Sequence, residues 1–126
     1  MLDGSDLVAF VASCDLDASD RFYRGVLGLE LLESSDFANA YDVNGTQLRV
    51  TRVEAVAPAS YTVAGWRVAD LAAAMRALRA AGVVFKRFDG MAQDEHGVWL
   101  SPGGARVAWF ADPDANTLSL QQAPQS

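Results

Sequence analysis

Residues 15–28 read DLDASDRFYRGVLG, and residues 70–82 read DLAAAMRALRAAG. Both begin with Asp-Leu, continue as a helix-like run and close on a glycine, and the second begins 55 positions after the first. Asp15 and Asp70 suit the N-cap, where a carboxylate accepts hydrogen bonds from the open N–H groups of the first turn. Gly28 and Gly82 suit the left-handed position that ends a helix. Apolar residues recur at helical spacing: Ala18, Phe22 and Val26 in the first stretch, Leu71, Met75 and Leu78 in the second. Each helix is therefore expected to bury one face, and the repetition implies two related halves.

An apolar run of strand length precedes each helix, LVAFVAS at 7–13 and YTVAGWRVA at 61–69. After the first helix come LELLES (29–34), FANAYDV (37–43) and TQLRVTRV (46–53), the last two joined by Asn44-Gly45, a strong hairpin signal. After the second come VVFKRF (83–88), VWL (98–100), ARVAWF (105–110) across the turn SPGG, and TLSLQQ (117–122) after DPDAN. Asp112 and Asp114 belong to that last turn, where short carboxylates bond to backbone N–H groups. The pattern predicts one α+β domain over 1–126, with a β-α-β-β-β module at about 7–53, a connector at 54–60 and a second module at about 61–122.

The composition excludes several function classes. With 10 basic and 16 acidic residues the net charge is −6, so there is no positive excess to release counterions from nucleic acid. The N-terminal apolar run has no basic flank and meets Asp15 too early to span a bilayer, so neither a signal peptide nor an anchor is expected. The only cysteine, Cys14, has no partner for an intrachain disulfide, which favours a reducing cytoplasm, and it is read as a small core residue at a strand end.

Strand alternation assigns side chains to faces. Leu48, Val50, Trp66, Val68, Leu118 and Leu120 are expected beneath the helices. The other face then carries Gln47, Arg49, Thr51, Arg67, Ser119 and Gln121, together with Val8 and Phe10. His96 lies in a polar loop with Asp94 and Glu95 and is read as solvated. Trp66, Trp99 and Trp109 are read as core or interface residues, with Trp99, beside a hairpin tip, placed to close over a ligand.

The duplicated unit, the helix pattern DLDASDRFYRGVLGLEL, the hairpin VNGTQLRV and the closing GARVAWFADPDANTLSL resemble the vicinal oxygen chelate superfamily from about Leu7 to Gln121. That superfamily includes glyoxalase I, extradiol dioxygenases, fosfomycin-resistance enzymes and bleomycin-resistance proteins. The resemblance implies two modules curled into a cup-shaped mixed sheet, usually in a homodimer, with the ligand inside. Its metalloenzymes carry His, Glu or Gln on the first and last strands of each module. The matching positions here are Val8, Arg49 (or, with a two-residue slip, Gln47), Val63 and Ser119. Apart from Gln47, none suits a divalent cation, and an arginine would repel one. Ala115 stands where the family's turn has glycine.

With those positions so filled, the resemblance to metal-free members such as the bleomycin-resistance proteins implies a metal-independent small-molecule binding protein without a cofactor, its ligand contacted by Phe10, Gln47, Arg49, Arg67, Ser119 and Gln121. The two arginines incline the ligand towards an anionic or carbonyl-rich molecule. The alternatives are a glyoxalase-, dioxygenase- or lyase-type enzyme with a metal held by residues such as Gln47, Glu95 and His96, or with none, and an interaction module that has lost its ligand. No nucleic-acid or membrane partner is expected.

Overall fold

The structure, a computed structural model, describes residues 1–125; Ser126 lies outside the described residues. The chain divides into two compact units, Met1–Ala57 and Pro58–Ser126, with the division inside the 54–60 stretch. In the first, β1 (Val8–Ser13), α1 (Leu16–Asp20) with a π-helical continuation Arg21–Val26, β2 (Glu30–Ser34), β3 (Ala38–Val43) and β4 (Thr46–Arg52) follow in order. In the second, β5 (Ala64–Arg67), α2 (Leu71–Ala80), β6 (Trp99–Leu100), β7 (Arg106–Ala111) and β8 (Thr117–Gln122) repeat that order.

Each unit builds one four-stranded mixed sheet, β1-β4-β3-β2 and β5-β8-β7-β6. In both, the first strand runs parallel to the last, which requires a crossover, and the helix supplies it. Asp15 and Asp70 cap their helices as the sequence predicts, accepting from Ala18 N–H at 3.1 Å and Ala73 N–H at 3.0 Å. Asn44-Gly45 turns the β3–β4 hairpin, with positive φ at both residues.

The first helix differs from its expected stripe. Its buried residues are Leu16, Ser19 and Tyr23, while Phe22 and Val26 are only half-buried. The cause is the π turn, in which Leu27 N–H reaches back five residues to the Phe22 carbonyl at 2.9 Å. A turn that wide shifts the register on which a 3.6-residue stripe depends. Polar contacts then seat the helix on the sheet. Buried Ser13 and Ser19 share a hydroxyl–hydroxyl bond of 2.6 Å, and Asn39 Nδ2 donates to the Leu16 carbonyl at 3.3 Å. The buried Tyr41 hydroxyl donates to Asp20 Oδ1 at 2.9 Å, and Arg24 pairs with the same carboxylate. Burial pushes the Tyr41 hydroxyl well above its ordinary range, and its bond to Asp20 adds to the shift.

Two other expectations are corrected. VVFKRF at 83–88 forms no strand: Lys86 N–H makes one bond to the Trp109 carbonyl of β7 at 2.7 Å, and the side chain of Gln93 takes up the adjacent backbone groups. Its Oε1 accepts from Phe88 N–H at 2.8 Å and its Nε2 donates to the Lys86 carbonyl at 3.0 Å. Cys14 is exposed rather than in the core, since Ser13 holds the inward position at the end of β1. The DPDAN turn is held by buried Asp112, whose Oδ1 accepts from Asp114 and Asn116 N–H, both at 2.9 Å. Ala115 takes φ 66°, the conformation for which glycine is the usual residue.

Tyr41→Phe is expected to destabilise the protein by about 1–2 kcal/mol, read as a lower urea midpoint at unchanged slope, because a bond to a carboxylate is lost. Ala115→Gly is expected to stabilise the protein by roughly 0.5–1 kcal/mol, read as a higher urea midpoint, relief of the left-handed backbone outweighing the added chain entropy.

Candidate ligand-binding faces

In the first sheet, the helix takes the face bearing Val11, Leu48, Val50 and Tyr41. The opposite face is organised by register. Val8 lies beside Gln47 and Phe10 beside Arg49 across the β1–β4 pair, and β3 adds Asp42 and Ala40 on the other side. Three of the residues expected at a site, Phe10, Gln47 and Arg49, thus stand together, with Phe10 63% exposed and both polar side chains half-buried.

In the second sheet, Gln122 marks the helix side, its Oε1 accepting from Leu71 N–H at 2.8 Å. The other face carries Gly65 beside Ser119 and Arg67 beside Gln121, so the remaining three expected residues also share one face. Ser119 is buried because β5 approaches it closely. A Cβ added at Gly65 would meet Ser119 Oγ at 2.5 Å. Among the described residues neither Arg49 nor Arg67 makes an ion pair.

None of the six expected residues lines the main concavity of the second unit. That pocket, of about 720 Å³, is walled by Trp99 and Trp109, Phe88 and Met91, and the strap residues Tyr61 and Thr62, with Asp89 as its one charged lining residue. Trp109 is the cross-strand neighbour of Ser119 on β8, and Ser119 pairs in turn with Gly65 on β5. The Phe88 ring meets Trp109 edge-on at 5.4 Å and 89°, and Trp99 lies 6.1 Å from Trp109 at 40°. Trp109 Nε1 donates to Thr62 Oγ1 at 3.0 Å, so the indole is held against the strap. The Thr117 hydroxyl fixes the base of the strap by donating to the Ala59 carbonyl at 3.2 Å, and Lys86 Nζ donates to that hydroxyl at 3.3 Å.

Trp99 thus lines a pocket, as its place beside the hairpin tip suggests, and Trp109 does so as well, whereas Trp66 is half-buried. Trp109 was legible in part. In ARVAWF the alternation with buried Ala108 and Phe110 puts it on the side of Ser119. Phe88, Met91 and Thr62 lie in irregular segments, where no periodicity assigns a direction.

The metal positions implied by the resemblance are poor in donors. Val8 and Phe10 face Gln47 and Arg49 in one sheet. In the other, Val63 N–H bonds the Thr117 carbonyl at 2.9 Å and Gly65 faces Ser119. No imidazole or carboxylate occupies any of the four positions, and the residues present do not fit a divalent cation. His96 and Glu95 form only an exposed pair at 3.6 Å, and no three His, Cys, Asp or Glu among the described residues are grouped to hold an ion.

The Glyoxalase family, described as the Glyoxalase/Bleomycin resistance protein/Dioxygenase superfamily, has a sequence profile that matches residues 6–120. The chain belongs to this superfamily. Solved structures agree on its fold. A bleomycin resistance determinant encoded on the transposon Tn5 has TM-score 0.73 and 22% identity, covering 96% of this chain and 99% of that one. A genomically encoded fosfomycin resistance protein from Listeria monocytogenes has TM-score 0.74 at 15% identity, covering 98% and 95%. A lactoylglutathione lyase from Agrobacterium tumefaciens has TM-score 0.73 at 17%, covering 94% and 93%. No curated protein matches the chain significantly in sequence. These identities show a common superfamily fold, a pair of four-stranded mixed sheets, and leave the chemistry to this chain's own residues.

Gly65→Ala is expected to destabilise this superfamily member by about 1–3 kcal/mol, because the new methyl displaces a buried hydroxyl. Combining it with Ser119→Ala should recover most of that loss. A double-mutant cycle by chemical denaturation measures the coupling, and additive effects would show that the close approach carries no cost.

Proposed function

We propose that the protein binds a small organic molecule without a metal, and that the ligand's apolar body lies against the Phe88–Trp99–Trp109 wall of the second module. The observation that carries this reading is an open aromatic pocket in which Trp109 is already held by a hydrogen bond to Thr62 and touches Phe88 and Trp99. Two indoles and a phenyl ring offer large contact area at small entropic cost, and the Thr62–Trp109 bond lowers that cost further. The absence of ligand-type donors at Val8, Arg49, Val63 and Ser119 supports binding over metal-assisted turnover.

Arg67, Ser119 and Gln121, on the same sheet face as the tryptophans, supply polar contacts for an anionic or carbonyl-bearing part of the ligand. Phe10, Gln47 and Arg49 form a second contact row in the first module. Two structural neighbours are named for resistance to an antibiotic, and we extend to this chain only the class, a small organic ligand. The reading includes a homodimer in the cytoplasm. Exposed Leu7, Val8 and Phe10 support the first part and a lone cysteine the second.

Titration of tryptophan fluorescence with a panel of planar aromatic acids and amides tests the proposal. A saturable change is expected, weakened at least ~10-fold by Trp109→Ala and much less by Trp109→Phe. Elemental analysis of protein purified without chelator or affinity tag should find substoichiometric zinc, nickel, iron and manganese. One metal ion per chain, or binding indifferent to Trp109→Ala, would overturn the reading.

A further inference from the structure

The helix side of the second module carries a separate concavity of about 390 Å³. Its cationic rim comes from two elements. Arg76 and Arg79 stand three residues apart on α2, on the stripe that begins at Ala72. Arg106 opens β7 and pairs in register with Leu100 on β6 and Gln122 on β8. The alternation that buries Ala108 and Phe110 on the α2 side places Arg106 on that side too, at the end of the sheet. Ala72 and Val98 supply apolar lining over the buried Leu71 and Met75.

The charge arrangement is unusual for this chain. In a protein of net charge −6, three guanidinium groups line one groove, and among the described residues none of them makes an ion pair. The lining also holds two carboxylates, which leave the three guanidinium groups in excess, and each accepts backbone N–H groups through its Oδ1. Asp70 caps α2 through Ala73 N–H, and Asp94 accepts from His96 N–H at 2.8 Å and Val98 N–H at 2.9 Å. Arg79 is positioned, its guanidinium 5.1 Å above the Phe85 ring and donating to the His96 carbonyl at 2.8 Å. Arg76 and Arg106 are exposed and keep their donors for a ligand.

We infer that this groove is a second binding site, for an amphipathic organic anion whose carboxylate or phosphate is held by Arg76 and Arg106 while its apolar body lies over Ala72 and Val98. Guanidinium forks match the paired oxygens of either head group, and the apolar lining adds affinity that a bare inorganic ion cannot use. The site stands independently of the aromatic pocket, since Trp99 and Trp109 lie on the opposite face of the same sheet.

Amide NMR titrations of the whole chain with octanoate, octyl phosphate and inorganic phosphate test it. The octyl probes should give saturable shifts centred on residues 72–79, 94–98 and 106, and the stronger of the two identifies the head group. Inorganic phosphate should bind at least ~10-fold more weakly, for want of an apolar body. Arg76→Gln with Arg106→Gln should weaken the octyl probes at least ~10-fold. Arg76→Lys with Arg106→Lys, which keeps charge but loses the fork, should fall between. Thermal unfolding of both variants should match the parent, because neither side chain makes a hydrogen bond among the described residues. Shifts centred on Trp99 and Trp109, affinity unchanged in the glutamine variant, or phosphate binding as tightly as the octyl probes would each overturn the assignment.

Discussion

The parallel pairing of the first strand with the last in each module is the constraint on which the other features rest. β1 against β4 and β5 against β8 bring together residues far apart in the chain, such as Phe10 with Arg49 and Gly65 with Ser119. Parallel neighbours cannot be joined by a tight turn, so a crossover helix is needed, and that helix must cover one face of the sheet. Burial of Tyr23 and Tyr41 in one module and of Met75 and Phe110 in the other follows from that covering. The uncovered face is then left for side chains that have no core to join.

In the second module this division gives the two sides of one sheet different chemistry. The pocket on the uncovered side gathers Trp99, Trp109 and Phe88 with Asp89, and the same face carries Arg67. The groove on the helix side gathers Arg76, Arg79 and Arg106 with Asp70 and Asp94. Net charge describes neither. At a few ångströms, within partly desolvated concavities, local groups outweigh a diffuse −6 that salt screens over about 10 Å.

Much of the architecture is legible in the sequence. The paired Asp-Leu-to-Gly stretches became two capped helices, and TLSLQQ became β8 over its full length. The face assignment of Gln47, Arg49, Arg67, Ser119 and Gln121 agrees with the strand register, because alternation is a property of the extended chain itself. Errors arose where hydrogen bonding was not periodic. A π turn displaced the first helical stripe, and one glutamine side chain satisfied backbone groups that would otherwise have sought a strand. Ala115 illustrates a different case, a left-handed turn kept without glycine because Asp112 holds it from within.

The sequence by itself determined the duplication, the α+β class, the faces of the regular strands and the identities Val8, Arg49, Val63 and Ser119 at the first- and last-strand positions. Each of these depends on local spacing or on residue identity. Only the tertiary structure decided where the concavities lie. The strap at Tyr61–Thr62, the loop around Phe88 and Met91, and the meeting of α2 with the end of β7 join segments by packing and single hydrogen bonds. Such contacts have no period for a sequence to display, because they form only when distant stretches share a surface.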